Sequence, residues 1–227
     1  PLYCELLKLL KKRKFDWVQI DEPMLGADLV REDLRAIRRI YDELGPAGPP
    51  VMLSTYFESP DPWLSEIANL HVNGLHFDLL AGPASQAYLK TKVFPKDKCL
   101  SLGVVNGRNI WAAPLTDIRR DISALAEIYD PGKLWIAPSC SLIHLPHNKS
   151  LETEWGDEIL SWISFADQRL EELRWLKQSF TADRSWERVF LDRESVLGKR
   201  ISSPRVHLGE IRQAVERSSS VQKVERR

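Results

Sequence analysis

The fold prediction for this chain starts from one stretch, Trp17-Val18-Gln19-Ile20-Asp21-Glu22-Pro23-Met24. Its side chains alternate as they do in a β-strand, so that Val18 and Ile20 would face one side of a sheet and the residues between them the other. The proline that follows lacks an amide donor and marks the exit into a loop. The pattern therefore predicts a strand that ends in two adjacent carboxylates, Asp21 and Glu22.

Similar apolar runs recur along the chain and are separated by helical patterns. The predicted strands are 17–22, 51–57, 74–80, 99–105 and 134–137, and the predicted helices around them are 2–14, 32–44, 62–68, 85–92 and 115–129. This order and spacing are typical of successive βα units in a parallel sheet. We therefore predict the α/β class, with parallel βα units of a TIM-type barrel.

The pattern changes after Pro146. Apolar residues at helical spacing predict one long helix over 157–180, followed by helices over 186–197 and 208–217. The last ten residues are predicted to be frayed. We expect one partial barrel domain over 1–206, ending in C-terminal helices, and a terminal helix and tail over 207–227.

Composition excludes several classes of protein. Of the 227 residues, 43% are hydrophobic, and 32 Lys and Arg balance 32 Asp and Glu, so we expect neither nucleic acid nor membrane as a partner. Three scattered cysteines argue against a disulfide framework and favour a reducing, cytoplasmic location. The chain starts at Pro1 without a methionine, which suggests a fragment of a longer protein.

Polar side chains follow each predicted strand. Because the carboxyl ends of parallel strands meet at one rim, these groups are expected to converge there. The alternative is that short polar residues end strands because turns need them. The rim candidates are Asp21, Glu22, Ser54, Thr55, Tyr56, Asp78, Asn106, Arg108, Asn109, Ser139, Cys140 and Ser141.

One spacing in the sequence, that of Cys140, His144 and His147, suggests a metal site. Their neighbours are apolar and no second ligand pair lies nearby, so Cys140 is interpreted as a buried thiol. Arg108, after a glycine, could hold an anionic group at the rim or pair internally with Asp78 or Asp21. Phosphate-binding loops, nucleophile elbows and His-Glu-x-x-His motifs are absent from the sequence.

Taken together, the strand-end motifs resemble the N-terminal domain of cobalamin-independent methionine synthase, and the likeness runs from about Leu2 to Val206. The motifs that carry it are WVQIDEP, LSTYF, HFDLL, LGVVNGRNIW, PSCSLIHLP, DEILSWISFADQRLEEL and SSPRV. The family is built from two (βα)8 barrels in tandem. It transfers a methyl group from methyltetrahydrofolate triglutamate to homocysteine, with a zinc-bound thiolate as the nucleophile.

The resemblance implies that the five strands are about the last five of that domain. It also implies that the catalytic barrel, which holds zinc through His, Cys, Glu and Cys, is missing. By comparison with that barrel, Ser54-Thr55-Tyr56 stands at the His-x-Cys position, Asp78 at the Glu, Cys140 at the last Cys, Arg108 at the proton-donating His, and Asp21 at the homocysteine-binding Asp. One thiolate and one carboxylate remain, which is too few for a zinc site.

The resemblance therefore implies a degenerate rim that carries no catalytic residue and holds no cofactor. We expect the chain to be inactive alone and to frame the folate cleft beside its missing catalytic barrel. One alternative is an independent enzyme or binding protein like the uroporphyrinogen-decarboxylase barrels, which would use Asp21, Asp78 and Arg108 on a small anionic substrate. Another is a non-catalytic partner whose open sheet edges pair with a second chain.

Overall fold

Five parallel strands form one sheet in the computed structural model of this protein, which describes residues 2–91 and 93–219. They are β1 (Val18–Asp21), β2 (Val51–Thr55), β3 (Gly74–Asp78), β4 (Cys99–Val105) and β5 (Leu134–Pro138). Each strand pairs with the one before it in the chain, so the order across the sheet is β1-β2-β3-β4-β5. The predicted parallel α/β arrangement is confirmed.

Helices precede, connect and follow the strands. They are α1 (Leu2–Lys12), α2 (Arg31–Leu44), α3 (Leu64–Ala68), α4 (Pro83–Lys90), α5 (Leu115–Ala126), α6 (Asp157–Trp162), α7 (Ala166–Gln178), α8 (Trp186–Ser202) and α9 (Gly209–Ser219). One helix, α2 to α5 in turn, lies between each pair of successive strands. The chain therefore alternates strand and helix as the sequence predicts, and α6 to α9 form the C-terminal helical part.

The two faces of the sheet differ in chemistry. On the outer face, Leu53 and Phe77 lie in the hydrophobic core with Ile67 of α3 and Ile118 of α5, which cover the strands. On the opposite face, which we call the inner face, the register places Ser54 beside Asp21 and His76. Because side chains alternate along a strand, the apolar outer face leaves these polar groups on the inner face.

The predicted helix over 157–180 is wrong, because the chain leaves the helical conformation between α6 and α7. Ile163 is extended there and forms an antiparallel bridge with Trp111. The Ser164 amide donates to the carbonyl of Ile110 at 2.7 Å, and the Ala112 amide donates to that of Trp162 at 2.9 Å. Residues 162–164 thus pair with the segment after β4, where the helical periodicity alone predicts a further turn of helix.

Other boundaries move by a few residues. The helix predicted over 186–197 extends to Ser202, where Lys199 and Arg200 in its last turn suit the helix dipole. The helix predicted over 85–92 is α4, which begins earlier, at Pro83, and ends at Lys90. Residue 92, and residues 220–227 of the predicted tail, lie outside the described residues. Within the described ranges, the structure contains no helix with the length and apolar character needed to cross a membrane.

Candidate functional site

A polar row crosses the inner face of the sheet, one residue from each of four strands. The register aligns Asp21 with Ser54, Ser54 with His76, and His76 with Ser101. These four side chains line a cavity of about 250 Å³, together with Tyr56 and the segment after β5. Of the rim candidates, Asp21, Ser54, Tyr56, Cys140 and Ser141 line this cavity, whereas Glu22, Thr55, Asp78, Asn106, Arg108, Asn109 and Ser139 do not.

Asp21 and Glu22 are adjacent in sequence but differ in surroundings. Asp21 lines the cavity and accepts a hydrogen bond from Nε2 of Gln19 at 2.7 Å. Glu22 instead accepts a hydrogen bond from the Met24 amide at 3.3 Å and caps the short 3-10 turn Pro23–Gly26. The first carboxylate therefore belongs to the cavity, whereas the second serves the local turn.

His76 lies at the centre of the site, although it is not among the rim candidates predicted from the sequence. It is 5% exposed, with Nδ1 at 2.9 Å from the Ser101 hydroxyl and Nε2 at 3.3 Å from the Ser139 carbonyl oxygen. Because a carbonyl only accepts, Nε2 carries the proton and Nδ1 accepts from Ser101. Burial lowers the pKa of His76, which keeps the ring neutral. Alternation along β3, which puts His76 on the same face as Asp78, could have indicated this position.

Asp78 is buried and its carboxylate is engaged by the backbone. One oxygen accepts from the Leu80 amide at 2.9 Å and the other from the Phe57 amide at 3.3 Å. These bonds join the loop after β2 to the loop after β3. Asp78 thus acts as a tie between two rim loops.

Asn106 stabilises the loop that follows β4. Oδ1 of Asn106 accepts from the amides of Arg108 and Asn109 at 2.8 and 2.9 Å. The Arg108 guanidinium lies 5.2 Å from the centre of the Phe57 ring and donates to the Phe57 carbonyl at 3.3 Å. The ion pairs among described residues do not include one from Arg108 to Asp78 or Asp21. That internal pairing is therefore not formed.

Ser139 and Cys140 close the site from the end of β5. The Ser139 hydroxyl accepts a hydrogen bond from the Gly107 amide at 3.2 Å. Cys140 is buried, as the sequence interpretation expected, and burial raises the pKa of its thiol. A Cβ on Gly107 would lie 2.8 Å from both the carbonyl oxygen and Sγ of Cys140. Glycine is therefore needed at 107 because the two loops approach closely.

The two histidines near Cys140 in the sequence contact residues other than Cys140. The His144 ring packs edge to face on Phe57, with centroids 5.4 Å apart, and Nε2 of His147 lies 3.6 Å from Oδ1 of Asp167. Across the described ranges, no cluster of three or more His, Cys, Asp or Glu side chains is arranged to hold a metal ion. The donor set at the rim does not fit zinc, which takes four protein ligands or three and a water.

A buried ionic cluster behind the rim was not predicted from the sequence. Glu172 accepts hydrogen bonds from Arg169 at 2.7 Å, from the Ser164 hydroxyl at 2.7 Å and from the Ala113 amide at 3.0 Å. Arg169 is completely buried and also donates to the carbonyls of Asn109 and Trp111. The cluster fixes the chain after β4 to α7. The helical periodicity could not reveal it, because Glu and Arg three residues apart normally indicate an exposed pair.

Comparison with known proteins places this geometry in a family. A family model described as the N-terminal domain of cobalamin-independent synthase matches residues 1–130. The 5-methyltetrahydropteroyltriglutamate–homocysteine methyltransferase of Chelativorans sp. (strain BNC1) is 43% identical over 211 residues, which are 91% of this chain and 27% of that protein. The enzyme of the same name from Nitrosomonas europaea is 36% identical over 217 residues, covering 95% of this chain and 28% of that protein.

Two solved structures share the fold. A putative vitamin-B12 independent methionine synthase from Listeria monocytogenes has a TM-score of 0.53 at 13% identity, over 78% of this chain and 51% of that one. A methyltransferase from Methanosarcina mazei has a TM-score of 0.50 at 14% identity, over 78% and 46%. These likenesses support the barrel-type βα units predicted from the sequence. The chain spans a little over a quarter of the length of the curated relatives it matches, and it belongs to the cobalamin-independent methionine synthase family, as a portion of the N-terminal domain.

Proposed function

We propose that this chain serves as a non-catalytic part of a cobalamin-independent methionine synthase, which transfers a methyl group from methyltetrahydrofolate triglutamate to homocysteine. Its role would be to frame the folate cleft and to brace a catalytic barrel that holds the zinc. The three cysteines are free thiols, which suits an enzyme of the reducing cytoplasm. These curated relatives share one enzyme name, 5-methyltetrahydropteroyltriglutamate–homocysteine methyltransferase, which supports the proposed overall reaction.

The observation that carries the bracing role is that the rim groups bind one another. Asp78 ties two loops through backbone amides, Arg108 is stacked on Phe57, and Ser139 accepts from Gly107. Groups held in this way fix loop positions, and the free carboxylates and thiolates that a zinc site needs are not assembled. A rim of this kind contributes rigidity rather than a reacting group.

The alternative, a separate barrel enzyme acting on a small anion, finds less support. It would use Asp21, Asp78 and Arg108 together, yet Asp78 is bound by two amides and Arg108 lies on Phe57. Among the described residues that line the cavity there is no Lys or Arg. An anion would therefore meet the Asp21 carboxylate there without a compensating cation.

Two assays test the absence of chemistry. The purified chain is supplied with zinc, methyltetrahydrofolate triglutamate and homocysteine, and methionine is measured against a blank without protein. Zinc binding is measured separately by calorimetry, with Cys140→Ser as the variant. We expect no methionine above the blank and no stoichiometric zinc. Methionine formation, or stoichiometric zinc that Cys140→Ser removes, would overturn the proposal.

The bracing role is tested by a chimera in which this chain replaces the matching segment of the Chelativorans enzyme, to which it is 43% identical. We expect an active chimera. Asp78→Ala in the chimera should lower its melting temperature, whereas Asp28→Ala, at an exposed position, should leave it unchanged. An inactive but folded chimera, or equal melting temperatures for the two variants, would contradict the role.

A further inference from the structure

A cleft between α2 and α3 lies apart from the rim and its cavity. Arg31, Arg35 and Arg38 of α2 line it, together with Trp63 and Glu66 at the start of α3. Its volume is about 150 Å³. None of its described lining residues belongs to the inner-face cavity. The cleft therefore combines three guanidinium groups with an aromatic ring at a place that the candidate site does not use.

The three arginines share one face of α2 because of their spacing. Arg35 follows Arg31 by four residues and Arg38 follows Arg35 by three, which are the separations of neighbours on a helix surface. At 1.5 Å per residue, the three span about 10.5 Å along the helix. Arg39, the fourth arginine of α2, is exposed and does not line the cleft. Three of the four arginines of this helix thus lie along one cleft.

The positive charge of the cleft is only partly compensated within the described part of the chain. Its ion pairs include neither Arg31 nor Arg38. Arg35 lies 3.7 Å from Glu32, in a pair whose side chains are both mostly exposed, and such surface pairs contribute little. Among the described lining residues, Glu66 alone carries a carboxylate. The lining therefore has an excess of two positive charges.

Trp63 restrains the arginine that lies nearest to it. The Arg31 guanidinium lies 5.5 Å from the centre of the Trp63 ring, and the indole Nε1 donates to the Leu29 carbonyl at 3.1 Å. A stacked guanidinium has fewer conformations to lose when it binds a ligand. The buried side chains of Leu34 and Leu70 also line the cleft. Apolar surface thus adjoins the guanidinium groups and strengthens their interaction with an anion.

The number of donors and the charge favour phosphate over carboxylate. Guanidinium groups bind both anions through paired N–H donors, but a carboxylate offers only two oxygens and one charge. A phosphate monoester offers three terminal oxygens and about −1.5 to −2 charges at pH 7, which matches the excess of the lining. The volume of about 150 Å³ is below the roughly 300–1,000 Å³ of pockets for drug-sized ligands. The cleft is therefore large enough for the phosphate group, with the rest of the molecule in solvent.

We propose that the cleft between α2 and α3 binds the phosphate group of a small phosphate monoester, through the guanidinium groups of Arg31, Arg35 and Arg38. Trp63 positions Arg31 for this contact. The inference is independent of the proposed function, because it uses no residue of the rim or of the inner face of the sheet.

The test is an NMR titration of the isotope-labelled full chain with methyl phosphate at pH 7.5 and constant ionic strength. Acetate is the matched control ligand, since it keeps the methyl group and a negative charge but has two oxygens. The signals followed are those of the arginine Nε–H groups and of the Trp63 indole. We expect saturable shifts with methyl phosphate and none with acetate at the same concentrations. Equal shifts with both anions, or shifts that rise linearly without saturation, would overturn the proposal.

Two adjacent arginines of α2 provide the matched variants. Arg38→Gln should weaken methyl phosphate binding by about tenfold or more, because it removes a charge-assisted hydrogen bond. Arg39→Gln removes the same charge from the same helix outside the cleft, and it should leave the affinity nearly unchanged. Equal weakening in the two variants would show that only the net charge matters, and it would refute the site.

Two further variants separate the shape of the donor from its charge. Arg35→Lys keeps the charge but replaces the planar fork by a point charge, so it should weaken binding. Glu66→Gln removes the carboxylate of the cleft and should strengthen binding. Thermal unfolding of each free variant checks that it is folded. Unchanged affinity in Arg35→Lys, or weaker binding in Glu66→Gln, would contradict the proposed contacts, and none of these results bears on methyl transfer by the larger enzyme.

Discussion

The indole rings of Trp17 and Trp135 meet edge to face, with centroids 4.9 Å apart, although they belong to opposite edges of the sheet. Trp17 immediately precedes β1 and Trp135 lies in β5. In a flat sheet, four strand spacings would separate these edges by about 19 Å. The sheet is therefore strongly curled, and its inner face is concave. This curl is what brings residues of β1 and β5 to one cavity.

The Trp pair should contribute to stability as a unit. In a double-mutant cycle of Trp17→Ala and Trp135→Ala, we expect a coupling free energy of about 0.5–1.5 kcal/mol, which is typical of aromatic pairs. Urea unfolding of the four proteins provides the measurement. Trp17→Ala combined with Trp186→Ala, whose ring packs on Phe190 instead, should be additive. Additivity in the first cycle would mean that the ring contact does not support the curl.

Glu172 should be far more important to the fold than its neighbour Glu171. Glu172→Ala leaves Arg169 as a buried cation without its partner, and we expect a loss of about 3–5 kcal/mol in the free energy of unfolding. Glu171→Ala, at an exposed position of the same helix, should change it by about 0.5 kcal/mol or less. Denaturant unfolding measures both. Similar values for the two variants would show that the buried cluster is not what fixes the segment after β4.

His76 should make stability depend on pH in a defined direction. Burial lowers its pKa in the folded protein below the usual value of about 6.5. The unfolded chain therefore takes up the proton first as the pH falls. The contribution of His76 is complete above about pH 6.5 and is lost below it, at a rate of up to about 1.4 kcal/mol per pH unit.

The measurement is urea unfolding between pH 5 and 7.5, compared with His76→Gln. The variant should flatten the dependence in this window. His71→Gln serves as the control at an exposed position and should leave the dependence as it is. A slope that survives in His76→Gln would assign the dependence to other groups.

Two glycines should respond to alanine in opposite directions. A Cβ on Gly103 of β4 would lie 2.8 Å from the Phe77 carbonyl oxygen and 2.9 Å from the His76 ring. Gly103→Ala should therefore destabilise the protein, by about 1–3 kcal/mol. Gly198 lies within α8 with no neighbour within 4 Å of an added Cβ, so Gly198→Ala should stabilise it by up to about 1 kcal/mol. Thermal unfolding distinguishes the two, and a neutral Gly103→Ala would mean that the His76 ring has room to move.

The sequence predicts the secondary-structure elements well, but it predicts the contacts between them less well. Alternation and βα spacing were sufficient to predict all five strands, because strands covered by helices must be apolar on their outer face. The break at Ile163 was missed since it depends on pairing with Trp111, which lies 52 positions earlier in the chain. Hydrophobic periodicity shows only which face of a segment is apolar. It contains no information about pairing with a distant part of the backbone.

The same limit applies to the candidate site. The rim positions of Asp21, Asp78 and Cys140 followed from where the strands end. That Asp78 is bound by the amides of Phe57 and Leu80 depends on distances between loops that the sequence does not encode locally, whereas alternation along β3 could have indicated the inner-face position of His76. The roles of the rim residues in a complete enzyme remain predictions, to be checked by the experiments above.

The strand order β1-β2-β3-β4-β5 has a consequence for how the protein is made. Within the described residues, each of β2 to β5 pairs with the strand that precedes it in the chain, so none of these four pairings has to wait for a distant segment. Loop closure between neighbours is entropically modest, and short-range pairing favours fast folding. Assembly on the ribosome can therefore proceed one βα unit at a time, with each new unit added to the growing edge.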